Sequence, residues 1–543
     1  MGSIKSLSSR SHSRPKRFLI CILLVSLPFS VFIVSEKHKR MMNKTTEVDP
    51  KPRPTTWFDV IAKGLNKKKK VKVGVVNIDA REELLSSHEA EMESVVVDFD
   101  HVDGSLKWEE IFPAWIDEDG KWSEAKCPNI PMPKFENFED LNVVVAKVPC
   151  GVRDVFRLQV NLVVANLAVR SGWLNKMEKH HRNVYVVFVG SCGPMEEIFS
   201  CDNLLTHEPE FRVYKPDLWS LKQKTLMPVG SCQIASGYAK TGKEVWRNFL
   251  SVPKVAYVSV LHSSEAYVCG AIALAQSILQ SNTNFPNDLL LLVDKSIAPK
   301  SITALKAAGW KIQRIKRITS PFAKPGAYNK WNYSKLRIWQ LTTYDKIIFL
   351  DSDLVLLNNL DHLFVYPQLT AAPNNKFLFN SGLMVIEPSQ CMFENMMNKT
   401  LKVRSYNGGD QGFLNEIFTW WHRLPRKVNL LKSFQDDEDA KREVPEDVYA
   451  VHYLGLKPWM CYRDYDCNWD MQDRRVFASD SAHKRWWQVY DAMPEKLQSY
   501  CGLTQKMNER IVKWRRIARN SSFSDGHWKI KVEDPRKGSY HSD

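Results

Sequence analysis

Residues 346–357 read KIIFLDSDLVLL, an apolar run of strand length that ends in two carboxylates one residue apart and then turns apolar again. A run this long without polar alternation reads as a strand covered on both faces. At its end Asp351 and Asp353 flank Ser352, so both carboxylates can turn toward one cation. Two like charges in a poorly solvated place are costly without that cation. Oxygen ligands favour Mg²⁺ or Mn²⁺, which can bridge a diphosphate. An Asp-x-Asp by itself is as readily a turn or a helix cap. Its neighbours decide.

Upstream, VAYVSVLHSSEAYVCGAIALAQSILQ (255–280) is a buried strand, a polar turn and a helix with apolar residues at helical spacing. LLLLVDK (289–295) is the next strand, and SITALKAAGWKI (301–312) is a helix followed by chain return. This β-α-β-α succession opens a nucleotide-binding sheet, where ligands sit beyond the carboxyl ends of the strands. It lacks the G-x-G-x-x-G of dinucleotide folds and the G-x-x-x-x-G-K-[ST] of P-loop ATPases. Downstream, FNSGLMVIEPS (379–389) sets Asn380 and Ser381 beside a further strand. YNGGDQGFLNEIF (406–418) packs Gly408 and Gly409 before Asp410 and Gln411 and then enters a helix. VYAVHYLGLKPW (448–459) brings His452 after a strand, with Gly455, Lys457 and Trp459 close behind. Singly these are a core histidine, a surface lysine and turn glycines. Their ordered conjunction points to a site.

From 71 to about 250 the β-rich runs VKVGVV (71–76), SVVVDF (94–99), LNVVVAKV (141–148) and NVYVVFVG (183–190) recur, with a helical pattern over 154–173. This reads as an α/β accessory domain, 71–250, without a nucleotide loop, triad or metal cluster. Residues 36–70, with KPRPTT and KKKK, read as a polar stem. Ahead of it FLICILLVSLPFSVFIVS (18–35) is uncharged and just long enough to span a bilayer. Lys5, Arg10, Arg14, Lys16 and Arg17 precede it, so 1–17 is expected in the cytosol and the body on the lumenal side. The charged EKHKRMMNKTTE that follows suits a signal-peptidase site poorly. Sequons at Asn43, Asn332, Asn398 and Asn520, and a local Cys461/Cys467 pair, fit an oxidising lumen. With 76 Lys and Arg against 61 Asp and Glu, the net charge of +15 suits anionic partners such as nucleotide sugars, acidic polysaccharides or membranes. The KKKK run reads as a solvated linker end, and no nucleic-acid partner is expected.

With these motifs on the page, the chain resembles glycosyltransferase family 8, the glycogenin-like enzymes of GT-A fold, over roughly 254–475. The likeness rests on YSKLRIWQLTTYDKIIFLDSDLVLL, FNSGLMV, NGGDQGFLN and HYLGLKPW. The anchor, the N-terminal half and KPWMCYRDYDCNWD (457–470) most resemble the plant type II Golgi group that adds glucuronic acid to xylan. The resemblance implies a GT-A catalytic domain over 251–475 and a helical extension over 476–543. It implies that Asp351, Asp353 and His452 hold Mn²⁺, with Mg²⁺ the alternative. Leu261, Ser263, Ser264 and Tyr267 match the turn around uracil and ribose, with Ser264 where glycogenin has Asn. Ser352 goes with the donor site, and Asn380, Ser381 and Gly382 with its sugar side. Asn407, Gly408, Gly409, Asp410 and Gln411 match the acceptor-facing loop, with Asn407 replacing an Asp. Tyr453, Leu454, Gly455, Leu456 and Lys457 match the diphosphate segment, one residue shorter than in glycogenin. Lys335 matches a basic residue that affects catalysis, beside Asp410 and Gln411.

The implied chemistry is retaining transfer from UDP-glucuronate to xylan, with metal and Lys457 stabilising the charge left on the diphosphate. Asp410 as covalent nucleophile and Gln411 beside an ion pair both stay open, and same-face attack is preferred. Lys330, Lys335, Arg337 and Arg404 are candidates for the donor carboxylate, and Trp331, Trp459 and Trp469 for an aromatic acceptor groove. The anchor implies a Golgi membrane reached through one N-terminal helix, and other Golgi glycosyltransferases as partners in a complex. Two other functions compete: a self-glucosylating primer using UDP-glucose, and a non-catalytic glycan-binding subunit of a polysaccharide synthase. SFQDDEDAKREVPED (433–447) reads as an acidic surface loop and 507–520 as a surface helix.

Overall fold

The computed structural model describes residues 56–62, 64–65, 70–78, 91–112, 127–172, 182–225, 253–262, 264–283, 288–434, 442–532, 534 and 536. The expected anchor at 18–35 and Ser263 lie outside the described residues. Among the described residues no helix is long and apolar enough to cross a membrane. From Trp57 onward the chain forms one compact unit.

It begins with helix α1 (Trp57–Ala62). These residues, read from sequence as the end of a stem, instead bury Trp57, Phe58 and Ile61 against one face of the first sheet. Charge-rich neighbours mask that apolar trio in the sequence. The sheet contains β1 (Val71–Val76), β2 (Met92–Val96), β3 (Val143–Lys147), β4 (Tyr185–Val189), β5 (Leu204–His207) and β6 (Phe211–Tyr214), in the order β2-β1-β3-β4-β6-β5. The first four are parallel, and β6 and β5 close the sheet antiparallel. Strand β2 starts and ends earlier than the SVVVDF run, its bounds following the register that pairs Val71–Val75 with Met92–Val96. Helix α2 (Val155–Gly172) covers the other face and buries residues almost all the way round, which accounts for its uniformly apolar sequence. Helix α3 (Leu218–Thr225) packs on it.

The second sheet starts with β7 (Val255–Leu261), helix α4 (Val268–Gln280), β8 (Asp288–Val293), helix α5 (Pro299–Ala307) and β9 (Lys311–Arg314). A series of 3₁₀ turns over Tyr328–Gln340 leads into β10 (Lys346–Leu350), whose five residues are all buried, as the sequence reading requires. The chain continues through β11 (Leu354–Leu356), β12 (Thr370–Pro373), β13 (Phe379–Ile386), helix α6 (Gln390–Lys399), helix α7 (Asp410–Ile417) and β14 (His422–Arg423). The sheet order is β14-β12-β13-β10-β7-β8-β9, parallel from β10 to β9 and antiparallel where β13 meets its neighbours. Strand β11 leaves this sheet and joins β15 (Leu430–Leu431) and β16 (Ala450–His452) in a three-stranded one. Helices α8 (Asp480–Asp491) and α9 (Gln505–Asn520) finish the described chain, and α9 is the surface helix read from its sequence, burying only Ile511 and Ala518.

One apolar core contains residues of both large sheets. Phe112 stacks on Trp421 with ring centroids 5.6 Å apart, and Trp421 meets Phe379 edge-on. Among the described residues, disulfides join Cys150–Cys192, Cys201–Cys391, Cys269–Cys501 and the expected local pair Cys461–Cys467.

Candidate active site

Pairing builds the site. Strand β10 lies between β7 and β13, so the turn after Leu350 emerges beside the ends of both. The Asp351 amide donates to the carbonyl of Gly382 at 2.8 Å, which fixes the turn to β13. Strands β11 and β16 then pair antiparallel with Leu354 opposite His452, and the Tyr453 amide donates to the Asp353 carbonyl at 2.9 Å. Distant segments thus bring His452 Nε2 to 3.3 Å from Asp353 Oδ1. Glycines make the approach feasible. A Cβ on Gly382 would lie 2.4 Å from His452 Cε1, and one on Gly270 would lie 2.4 Å from the Ser352 carbonyl.

Two lysines enter this acidic centre. Lys457 Nζ lies 2.6 Å from Asp353 Oδ2 and also donates to the Tyr453 carbonyl. Lys335 Nζ lies 3.1 Å from Asp351 Oδ1 and 2.5 Å from Asp410 Oδ2, and donates to the Ser381 carbonyl at 3.1 Å. Asp410 also accepts from Ser381 Oγ at 2.8 Å and from Asn332 Nδ2 at 3.1 Å. Burial opposes an ionised Asp353, yet Lys457 and His452 outweigh it and hold its carboxyl well below the usual range. Burial likewise opposes Asp410, and Lys335 with its hydrogen bonds holds that carboxyl low. Burial prevails at Asp351 against Lys335, pushing its carboxyl up. Burial pulls Lys335 down, but its two carboxylate partners hold it above the ordinary lysine value.

The donor atoms of Asp351, Asp353 and His452 lie within 4.8 Å of one another. Two carboxylates and an imidazole suit a hard divalent cation. Among the described residues, buried His452 Nδ1 has no hydrogen-bond partner. These residues fit a divalent metal. In the sugar-side trio, Asn380 Oδ1 accepts from the Gly382 amide at 2.9 Å, and Gln411 Oε1 accepts from Asn380 Nδ2 at 3.2 Å and the Ser381 amide at 3.3 Å.

Other expected residues stand differently. Asn407 turns its carbonyl oxygen inward, accepting from the Gly409 and Gly412 amides at 3.0 and 3.1 Å. It therefore shapes the loop before α7. Gly408 and Gly455 have φ of +69° and +74°, which favour glycine. Leu261 is buried at the end of β7, and Ser264 Oγ caps the next turn by accepting from Ala266 N at 3.1 Å. Half-buried Tyr267 is pushed up by burial and by the charges of Asp353 and Asp351. Tyr453 sends its hydroxyl away, to the Ala482 carbonyl at 2.8 Å, and Leu456 packs in a separate cluster with Tyr462 and Ile511. Leu454 is half-buried between them. The Leu456 backbone is held by Asn468, its amide donating to Oδ1 at 2.8 Å and its carbonyl accepting from Nδ2 at 3.0 Å.

The aromatic groove read from sequence needs correction. Trp459 is buried between Tyr267 and Trp486, with its Nε1 donating to Ala266 O at 2.7 Å. Trp469 stacks on His527 with centroids 3.8 Å apart, which hides a face of its ring. Trp331 is half-buried under Arg317, 4.2 Å above the ring. Of the cation candidates, Lys335 alone joins the centre. Arg337 turns to the Lys316 carbonyl and Gln340, Lys330 lies over Trp331, and Arg404 is exposed. Two residues near the centre escaped the sequence reading. Asn332 looked like a glycosylation sequon, but its Nδ2 is given to Asp410. His262 directly follows β7, where ligands meet an open sheet, and burial pushes it down to about 4 with Asp410 and Lys335 acting in opposite senses.

Comparisons with known proteins follow this geometry. Residues 259–368 and 367–461 match the glycosyl transferase family 8 model, and 49–232 match the GUX1-5 N-terminal domain. A putative UDP-glucuronate:xylan alpha-glucuronosyltransferase 4 from Arabidopsis thaliana is 50% identical over 98% of this chain and 99% of its own. UDP-glucuronate:xylan alpha-glucuronosyltransferase 2 of the same plant is 47% identical over 89% of this chain and 83% of its own. Among solved structures, the galactosyltransferase LgtC with donor and acceptor sugar analogues is 16% identical, covering 45% of this chain and 99% of its own at a TM-score of 0.33.

Proposed function

From the premise that the chain belongs to glycosyl transferase family 8, we propose that it transfers glucuronic acid from UDP-glucuronate to the xylan backbone, with retention at the anomeric carbon. It is a UDP-sugar-dependent glycosyltransferase. One observation carries the chemical reading: the β11–β16 pairing sets Asp353 against both His452 and Lys457, at 3.3 and 2.6 Å, beside Asp351. Asp351, Asp353 and His452 would hold Mn²⁺, which would supply positive charge to the donor diphosphate. Lys457, buried and aimed at the same place, adds a fixed cation where the leaving phosphate gains charge. The Lys335–Asp410 pair and Gln411 orient the sugar and acceptor, and the leaving phosphate takes the acceptor's proton in same-face attack. An Asp410 already held by Lys335, Ser381 and Asn332 is a poor free nucleophile, which favours that route over a covalent one.

We place the protein in the Golgi membrane through an 18–35 anchor, a reading supported by the apolar run and its basic flank. Four disulfides among the described residues suit an oxidising lumen. The test is to incubate the protein with Mn²⁺, UDP-glucuronate or UDP-glucose, and xylohexaose. Transfer of glucuronate that chelation abolishes is the expected result. Equal use of both donors, or transfer to the protein itself, overturns the reading.

A further inference from the structure

Tyr328 is 88% exposed and Tyr406 is 53% exposed. Single exposed aromatics are ordinary on a protein surface. These two belong to one lip of the site. Asn329, next to Tyr328, donates its Nδ2 to the carbonyl of Asn407, next to Tyr406, at 2.8 Å. Gly408 packs so closely on the same segment that a Cβ there would come within 2.7 Å of the Phe322 carbonyl. The inner side of the lip reaches the acidic centre from both strands of chain. Gln411 Nε2 donates to the Tyr406 hydroxyl at 2.8 Å, while its Oε1 accepts from Asn380 and Ser381. Asn332, on the segment that follows Tyr328, donates to Asp410.

We propose that Tyr328 and Tyr406 form the acceptor subsite, a stacking platform for the sugar rings of a neutral, extended polysaccharide. This rests on the transferase reading above. A tyrosine ring offers an apolar face to the C–H side of a pyranose and a hydroxyl at its edge to sugar hydroxyls. Tyr328 is almost wholly exposed and Tyr406 about half exposed, so each presents ring surface to a ligand. Trp459 is buried, and Trp331 and Trp469 each carry a partner on the ring, Arg317 and His527. Through Gln411, Tyr406 ties acceptor contact to the residues on the donor's sugar side.

The experiment compares wild type, Tyr328→Ala, Tyr406→Ala and Tyr328→Phe. Its readouts are KM for xylohexaose at saturating UDP-glucuronate and, by calorimetry with Mn²⁺, Kd for UDP. Each alanine variant should raise the acceptor KM about tenfold or more while Kd for UDP stays within about twofold, the signature of lost acceptor binding alone. Tyr328→Phe, which keeps the ring, should stay within about threefold of wild type. An unchanged acceptor KM in Tyr328→Ala that binds UDP normally overturns the platform, even if Tyr406→Ala does not fold. Wild-type protein that hydrolyses UDP-glucuronate but never transfers to xylohexaose overturns the functional reading, and the platform with it.

Discussion

Asp353 is where charge at single residues decides most. From sequence, Asp351 and Asp353 read as two repelling carboxylates waiting for a cation. In the structure each faces a lysine, Asp353 facing Lys457 and Asp351 facing Lys335, which it shares with Asp410. The sequence names the carboxylates, but their lysines lie 16 residues away on one side and about a hundred on the other, and nothing local pairs them. Asp353→Asn should therefore cost both chemistry and stability. Transfer should fall at least ~100-fold with added Mn²⁺. Because Lys457 is left buried without its carboxylate, unfolding should become easier by about 3 kcal/mol in the metal-free protein. Activity across a metal titration and a melting curve check the two halves separately. A second residue sets an acid limit. His422 is 1% exposed, and burial, then Lys224 and Lys346, pushes its imidazole down to about 3. The fold keeps it neutral where the unfolded chain's histidine, near 6.5, is charged. The native state then binds fewer protons, so stability is present above about pH 6.5 and is lost as pH falls toward 3. Between pH 6.5 and 4.5 wild type should lose about 2–3 kcal/mol that His422→Phe does not, read by urea unfolding at each pH.

Elements with strong apolar runs were legible in advance. Strands β7 and β10, helix α2 and the entry to α7 all stand where their sequences place them, because burial on both faces leaves no polar alternation to misread. The 3₁₀ series over Tyr328–Gln340 was not legible, since its shape comes from packing against α6 and α7. The ends of α7 show how an element is held for function. Asp410 stands at its start, and Thr419 follows shortly after its end. There the buried Glu197 of the N-terminal half accepts from the Thr419 amide and hydroxyl at 3.0 Å each and from the Trp420 amide at 3.4 Å. Arg153 adds an ion pair with Glu416 at 3.0 Å. Glu197→Ala should leave three buried donors without an acceptor and cost about 2–4 kcal/mol. Glu197→Gln, which keeps one acceptor oxygen, should lose less. The chemical-denaturation midpoints of the two variants, with kcat measured beside them, test whether this clamp serves stability alone or the aim of Asp410 as well.

At the scale of the whole molecule, the N-terminal half offered no motif, and sequence assigned it no role. Its contacts explain why. Its contribution is made by ordinary residues at long range: Phe112 on Trp421, Glu197 under Thr419, Gln223 Oε1 accepting from the buried Lys346 Nζ at 3.1 Å. None of these has a sequence signature. The Cys201–Cys391 disulfide closes the same seam covalently, joining the region before β5 to α6 across a sequence separation of 190. Lys399 on α6 adds an ion pair to Glu196 at 3.3 Å. Closing so long a loop restricts the unfolded chain, a stabilisation of about 2–5 kcal/mol for native bridges. Cys391→Ser should therefore lower the melting temperature by several degrees while leaving the local Cys461–Cys467 bridge intact. If the N-terminal half only accompanied the catalytic sheet, the variant would melt in two steps, the catalytic part at its former temperature. A seam built from shared aromatic core and buried hydrogen bonds predicts one step instead, shifted as a whole. Calorimetry of Cys391→Ser, with transferase activity followed through the same temperatures, separates the two cases: loss of activity should coincide with the single transition, because α7 and the sheet that clamps it unfold together.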